Sequence, residues 1–159
     1  MDNEGRRNED LATAARRSRR MLRRDLLITL AVAVVAFLLA GRGGRGMTLE
    51  LGAESIAASP PGSTAITVRY EDIAGVQLCG EIDFGTCVEG GQTDACWHGT
   101  WENGGWGRYV LCVHPKVAAF AVIELRDGGR VVVNGGSERE TGELVEALHK
   151  LKSGGSDDE

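Results

Sequence analysis

Three patterns of apolar and polar residues follow one another along the chain. Leu26 to Ala40, LLITLAVAVVAFLLA, is apolar on every face, with no charge and a single threonine. From Met47 the pattern changes to short runs that read as strands: Met47–Leu51, Ala65–Arg69, Ile73–Leu78, Trp97–Trp101, Tyr109–His114, Ala119–Leu125 and Arg130–Asn134. In Ala65–Arg69, for example, Ile66 and Val68 fall on one face and Thr67 and Arg69 on the other, the two-residue period of a half-buried strand. After Ser137 the period lengthens to that of a helix, with Leu144, Val145, Leu148 and Leu151 on one face. Ser137-Glu138-Arg139-Glu140 is a capping box, and Lys150 and Lys152 suit the negative end of the helix dipole.

The turns set the expected connectivity. Ser59-Pro60-Pro61-Gly62 forces one. Asp127-Gly128 favours positive φ at both central positions, the geometry of a type I′ hairpin. Asn103-Gly104-Gly105 joins the two preceding strands. Regular pairing of such hairpins predicts a mainly β domain, an antiparallel meander closed by one C-terminal helix.

The apolar segment needs its own reading. Fifteen residues at 1.5 Å each give about 22 Å of helix, short of the roughly 30 Å of bilayer hydrocarbon. Arg23, Arg24, Arg42 and Arg45 extend its reach by snorkelling to the interface. A buried core helix would show an amphipathic period, and none is present. A cleaved signal peptide needs small residues at −3 and −1; Ala40 fits −1, but Leu38 then occupies −3. The preceding 25 residues are also long for a signal n-region, so an uncleaved signal anchor is favoured. Ser18-Arg19-Arg20-Met21-Leu22-Arg23 looks like a twin-arginine signal, but an Arg pair is expected in so Arg-rich an arm. Six arginines lie in residues 11–25, against Arg42 and Arg45 after the segment. This asymmetry predicts a cytoplasmic N-terminus and an extracytoplasmic C-terminal domain at the cell membrane.

The expected organisation is a basic arm (1–25), a single transmembrane anchor (26–41), a linker (42–46), one domain (47–152) and a disordered acidic tail (153–159). The arm is read as a solvated tail that sets orientation rather than a lipid-bound helix. Charge divides the same way. Residues 1–45 carry ten Arg and five acids; the rest carries eight Lys or Arg and eighteen acids, a net charge of about −10. That balance argues against nucleic acid and against anionic headgroups as ligands of the domain.

The order of motifs resembles the bacterial pleckstrin-homology-like (PH-like) family. Ile66-Thr67-Val68-Arg69-Tyr70-Glu71-Asp72-Ile73 followed by Val76-Gln77-Leu78 looks like the family's entry strands. Asp83-Phe84-Gly85 matches the Phe-Gly that follows. Trp106-Gly107-x-Tyr109-Val110-Leu111-x-Val113-x-Pro115-Lys116, then Phe120-Ala121-Val122-Ile123 and Asp127-Gly128, continue the order to a closing helix at Glu140-Thr141. The resemblance covers roughly residues 64–151. It implies an antiparallel barrel closed by the helix, a frequent link to membrane segments, and no established ligand or reaction. The four cysteines and the Gly-rich Gly90–Gly107 stretch depart from the family pattern.

Cysteine is the reactive residue type with suggestive spacing. Four cysteines outside the membrane read as two disulfides. A three-residue Asn103–Gly105 loop sets Cys96 opposite Cys112; a two-residue loop sets it opposite Leu111 and breaks the pair. Cys79 and Cys87 flank Asp83-Phe84-Gly85 and suit a second hairpin. The rival reading is a Cys₂His₂ zinc site of Cys96, His98, Cys112 and His114, a thiol and an imidazole from each strand; its spacing matches no known finger or knuckle. A cytoplasmic domain would make the cysteines free core residues. A Cys-dependent enzyme lacks an orienting residue at a recognisable motif, and no Walker loop, G-x-S-x-G or H-E-x-x-H is present. No cofactor is implied. Trp97, Trp101 and Trp106 are either core filling or an aromatic platform for a partner. The function expected is that of a membrane-anchored, non-catalytic module for a protein or peptide partner. A secreted protein, a zinc-binding protein and a Cys-dependent enzyme are the alternatives.

Overall fold

The computed structural model describes residues 46–153. The basic arm, the expected anchor, most of the linker and the last six residues of the acidic tail lie outside the described residues. Within them, no helix is long and apolar enough to cross a membrane.

The domain is mainly β, as the pattern predicts. A three-stranded antiparallel sheet comes first: β1 (Thr48–Leu51), β2 (Ser55–Ser59) and β3 (Ile66–Arg69), in that order. A six-stranded sheet follows, built from β4 (Ile73–Cys79), β5 (Thr86–Gln92), β6 (Trp97–Asn103), β7 (Gly107–Val113), β8 (Phe120–Leu125) and β9 (Arg130–Val133). Helix α1 (Glu138–Ser153) ends the described chain. Two strands, β2 and β5, escape the hydrophobic pattern: one is Ser-Ile-Ala-Ala-Ser, the other carries Gly90 and Gly91 in its centre.

The larger sheet is not a meander. Its order is β4-β8-β9-β7-β6-β5, and β9 lies parallel to β7, with Val110 beside Val131 and Cys112 beside Val133. The physical reason is two-sided burial. Tyr109–Val113, Phe120–Ile123 and Val131–Val133 are almost continuously apolar, and strands of that kind belong at the centre of a sheet covered on both faces. A meander would place β9 at an edge. Insertion between β8 and β7 buries Val131, Val132 and Val133 completely or nearly so. Among the described residues β4 and β5 end the sheet without a further strand partner, so the sheet is open rather than a closed barrel.

One core lies between the two sheets and α1: Leu49, Ile56 and Val68 from the small sheet meet Val76, Ile123 and Val133 from the large one, with Leu144, Val145 and Leu148 of the helix. The second core covers the opposite face of the large sheet. There the segment Gly80–Gly85 runs from one sheet edge to the other, carrying Phe84 onto Trp97, Trp101 and Phe120. The Phe84 carbonyl accepts the Tyr109 hydroxyl at 2.7 Å, and the Asp83 carbonyl accepts the Asn103 amide at 2.6 Å.

The expected turns form with two changes of detail. Asn103 Oδ1 accepts the backbone N–H groups of Gly105 and Trp106 at 3.1 and 2.7 Å. That cap moves the turn on by one residue, so the loop is Gly104–Trp106 and Asn103 pairs with Gly107. At Asp127-Gly128 only Gly128 has positive φ, at 90°, so the turn is not type I′. Asp127 instead accepts the Gly129 N–H at 2.8 Å within a longer closure from Leu125 to Gly129. The Ser137 cap forms as expected, the Glu140 N–H donating to Ser137 Oγ at 3.2 Å; the Glu140 carboxylate reaches one residue further back and accepts from Gly136 N at 2.8 Å.

Tyr70 fastens the corner between the sheets. It opens the 3-10 turn Tyr70–Asp72, donates its N–H to Glu54 O at 2.9 Å and its hydroxyl to Gly52 O at 2.9 Å. Burial pushes its phenol up to about 12; burial and then the nearby Asp83 charge push Tyr109 to about 12 as well. A raised phenol pKa favours the neutral form in the folded state. The stability it lends is therefore present below the ordinary pKa near 10 and is lost as pH rises from there towards 12. Alkaline titration followed by circular dichroism should show stability falling through that window, and Tyr70→Phe with Tyr109→Phe should flatten the fall.

Candidate functional site

The hairpin β6–β7 sets the positions of the predicted thiols and imidazoles. In its register His98 faces Cys112. Continuing that register places Cys96 opposite His114, so all four residues belong to one face of the hairpin. Cys96 is therefore diagonal to Cys112, not opposite it as a disulfide between facing residues requires. The one-residue shift of the Asn103 turn is the cause. The two thiols nevertheless lie in one buried cluster: their residues are only 1% and 0% exposed, and the Cys96 thiol donates to the Trp97 carbonyl at 3.7 Å. Both are free thiols in the structure, as are Cys79 and Cys87.

The neighbouring Cys112 thiol lowers the pKa of Cys96 despite burial, whereas the Cys96 thiol, then burial, raises that of Cys112. The Cys112 thiol also points at the Met47 thioether. Met47 is buried just before β1, which joins the small sheet to this cluster.

The imidazoles do not complete a four-ligand site. His98 lies over Gly91 of β5, where an added Cβ would stand 2.7 Å from its ring, and its Nε2 hydrogen-bonds Ser63 Oγ at 3.1 Å. His114 lies over Gly46, and its Nδ1 hydrogen-bonds Ala95 O at 3.0 Å. Each ring is directed to a neighbouring loop or strand instead of the thiols. Among the described residues, no three His, Cys, Asp or Glu side chains are grouped so as to hold a metal. The Ser63–His98 contact lacks a third, orienting group as well, because His98 Nδ1 is buried without a partner.

Cys79 and Cys87 do not flank a hairpin. They lie on β4 and β5, the two opposite edges of the large sheet, with four strands between them. Both pack against the second core.

The tryptophans divide between core and surface. Trp97 and Trp101 stack at 5.5 Å and 12°, on either side of Gly99. Gly99 has φ of 117° and faces Gly90 so closely that a Cβ on either would stand 2.0 Å from a carbonyl oxygen opposite. That pair accounts for Gly90 and Gly99 of the Gly-rich stretch; Gly104, Gly105 and Gly107 belong to the β6–β7 turn. Trp101 is 1% exposed and is core, which removes it from any partner surface. Trp97 and Trp106 are half-buried; Trp106 packs edge-on to Tyr109 at 5.3 Å, with the Arg130 guanidinium 5.7 Å from its ring centre.

Among the described residues, the most exposed large apolar side chain lies elsewhere. Leu78, 53% exposed, is on edge strand β4. It shares a sheet face with Val76, against whose core the helix residues Leu144, Val145 and Leu148 pack. Ala74 and Gln77 of the same strand are exposed, and Lys152 Nζ donates to the Ala74 carbonyl, which ties the end of α1 to the strand. Sequence shows Val76-Gln77-Leu78 as a strand but does not show that it is an edge; strand order alone decides that. Asn134, the buried amide that fixes His114, lies just past β9, where the sequence shows only a strand end. No protein-family model, curated protein or solved structure matches this chain.

Proposed function

We propose that this protein is a membrane-tethered, non-catalytic β module whose open β4 edge, beside α1, takes up an extended segment of a partner protein. The observation that carries the reading is the exposed Leu78 on an edge strand flanked by the terminal helix. An open edge offers a row of unpaired backbone N–H and C=O groups, and an apolar side chain beside it offers a pocket partner: these are the two requirements of strand addition. The missing side chain at Gly75 leaves the backbone of β4 approachable there, while Lys152 already holds the Ala74 carbonyl. The PH-like resemblance supports the same groove, between the closing helix and a sheet edge, although the parallel β7–β9 pair departs from an all-antiparallel barrel. The apolar segment 26–41 and the arginine asymmetry support a tether that places this edge outside the membrane, and the acidic domain disfavours nucleic acid.

A lysine at an exposed edge position blocks strand addition while leaving the fold intact. Leu78→Lys should therefore abolish partner capture in cells. Being a surface change, it should alter stability by no more than about 0.5 kcal/mol. Capture that survives Leu78→Lys at wild-type yield would rule out the β4 edge.

A further inference from the structure

We infer that Met47, Cys96 and Cys112 form an all-sulfur site for a single soft monovalent metal ion, Cu(I). This is independent of the docking edge, which lies on another strand. Three sulfur side chains from three separate parts of the chain converge: Met47 before β1, Cys96 before β6 and Cys112 within β7. The Cys112 thiol touches the Met47 thioether at 2.9 Å, Cys96 lies diagonal to Cys112 on the same face of the hairpin, and all three residues belong to one buried cluster. All three residues are buried, at 5%, 1% and 0% exposure.

The chemistry of the set selects the ion. Thiolate and thioether ligands favour Cu(I), whereas carboxylate and carbonyl oxygens favour harder ions. Zinc takes four ligands from nitrogen, oxygen and sulfur, and the two imidazoles that would complete such a set are engaged with Ser63 and Ala95. Cu(I) is satisfied by sulfur alone. Geometry favours a bridging ion over a direct bond. A disulfide holds its sulfurs about 2.05 Å apart and suits facing residues. Two metal–sulfur bonds of about 2.3 Å each span up to about 4.6 Å, which suits thiols on a diagonal pair better than a direct bond does.

Binding displaces the thiol protons, because thiolate rather than thiol is the ligand. The bound ion would join the small sheet, through Met47, to the β6–β7 hairpin. A site closed to solvent loads as the domain folds.

The test uses the full chain, expressed in copper-supplemented cells and purified in detergent without oxygen or chelator. Metal content and X-ray absorption are then measured, with retention challenged by a Cu(I)-specific chelator. The expected result is one Cu(I) per chain with a first shell of three sulfurs and no nitrogen. The double variant Cys79→Ser, Cys87→Ser should retain the ion. Met47→Leu, which conserves volume and the fold, should weaken retention by about tenfold, the scale on which single groups tune metal sites. A chain purified free of copper, a nitrogen in the shell, undiminished retention by Met47→Leu, or a Cys96–Cys112 disulfide in protein isolated without reductant would each overturn the site.

Discussion

Trp101→Ala is expected to destabilise the domain by about 3–5 kcal/mol, the range for removing a large aromatic from a packed core. The ring is almost completely buried, stacks on Trp97 and tilts against Phe84 at 6.2 Å. Its loss opens a cavity beneath the Gly80–Gly85 crossing, and that crossing packs its one aromatic, Phe84, on the same cluster. A domain of about 100 residues has a total stability of only about 5–15 kcal/mol, so the midpoint should fall by about 10–30 °C. Trp101→Phe should cost much less. It keeps an aromatic ring in the cluster and removes an indole N–H that has no hydrogen-bond partner. Thermal unfolding of the full chain in detergent, followed by far-UV circular dichroism, separates the two variants. An alanine variant as stable as the wild type would contradict the core assignment.

Asn134→Ala should cost about 2–4 kcal/mol, because two half-buried backbone groups lose good partners. Asn134 is 0% exposed. Its Oδ1 accepts the His114 N–H at 2.7 Å, and its amide donates to His114 O at 3.0 Å and to Val117 O at 3.4 Å. These bonds hold the chain as it leaves β7 for β8, two residues beyond Cys112. Asn134→Asp distinguishes this role from packing. The ionised carboxylate still accepts from His114 N–H but cannot donate to the carbonyls, and it is a buried charge. The Asn134→Asp chain should therefore gain stability relative to wild type as pH falls and the carboxyl takes up a proton. Denaturant unfolding at pH 4.5 and pH 8 reads this directly; equal losses at both pH values would count against it.

Much of the fold was legible because it rests on local signals. Ser137 and Glu140 marked the helix start, Leu144, Val145 and Leu148 its buried face, and Pro60-Pro61-Gly62 a turn. The site was less legible because register and strand order are not local. Asn103 capping its own turn moved the loop on by one residue and the β6–β7 register by two, which changed Cys96 and Cys112 from facing to diagonal neighbours. The position of β9 between β8 and β7 sent β4 and β5 to opposite edges, separating Cys79 from Cys87 and exposing Leu78. Met47 joined the thiols through a contact between sheets, across 65 residues of sequence. No short-range pattern carries that information.

The central claim is that the β4 edge receives a partner segment. The most direct measurement is photo-crosslinking in intact cells from a reactive side chain placed at Gln77, exposed on β4, with Val88 on edge strand β5 as the control position. The account predicts a discrete protein adduct from Gln77 that disappears when Leu78→Lys is added and is absent from Val88. Equal adducts from Gln77 and Val88, adducts insensitive to Leu78→Lys, or lipid adducts alone would contradict it.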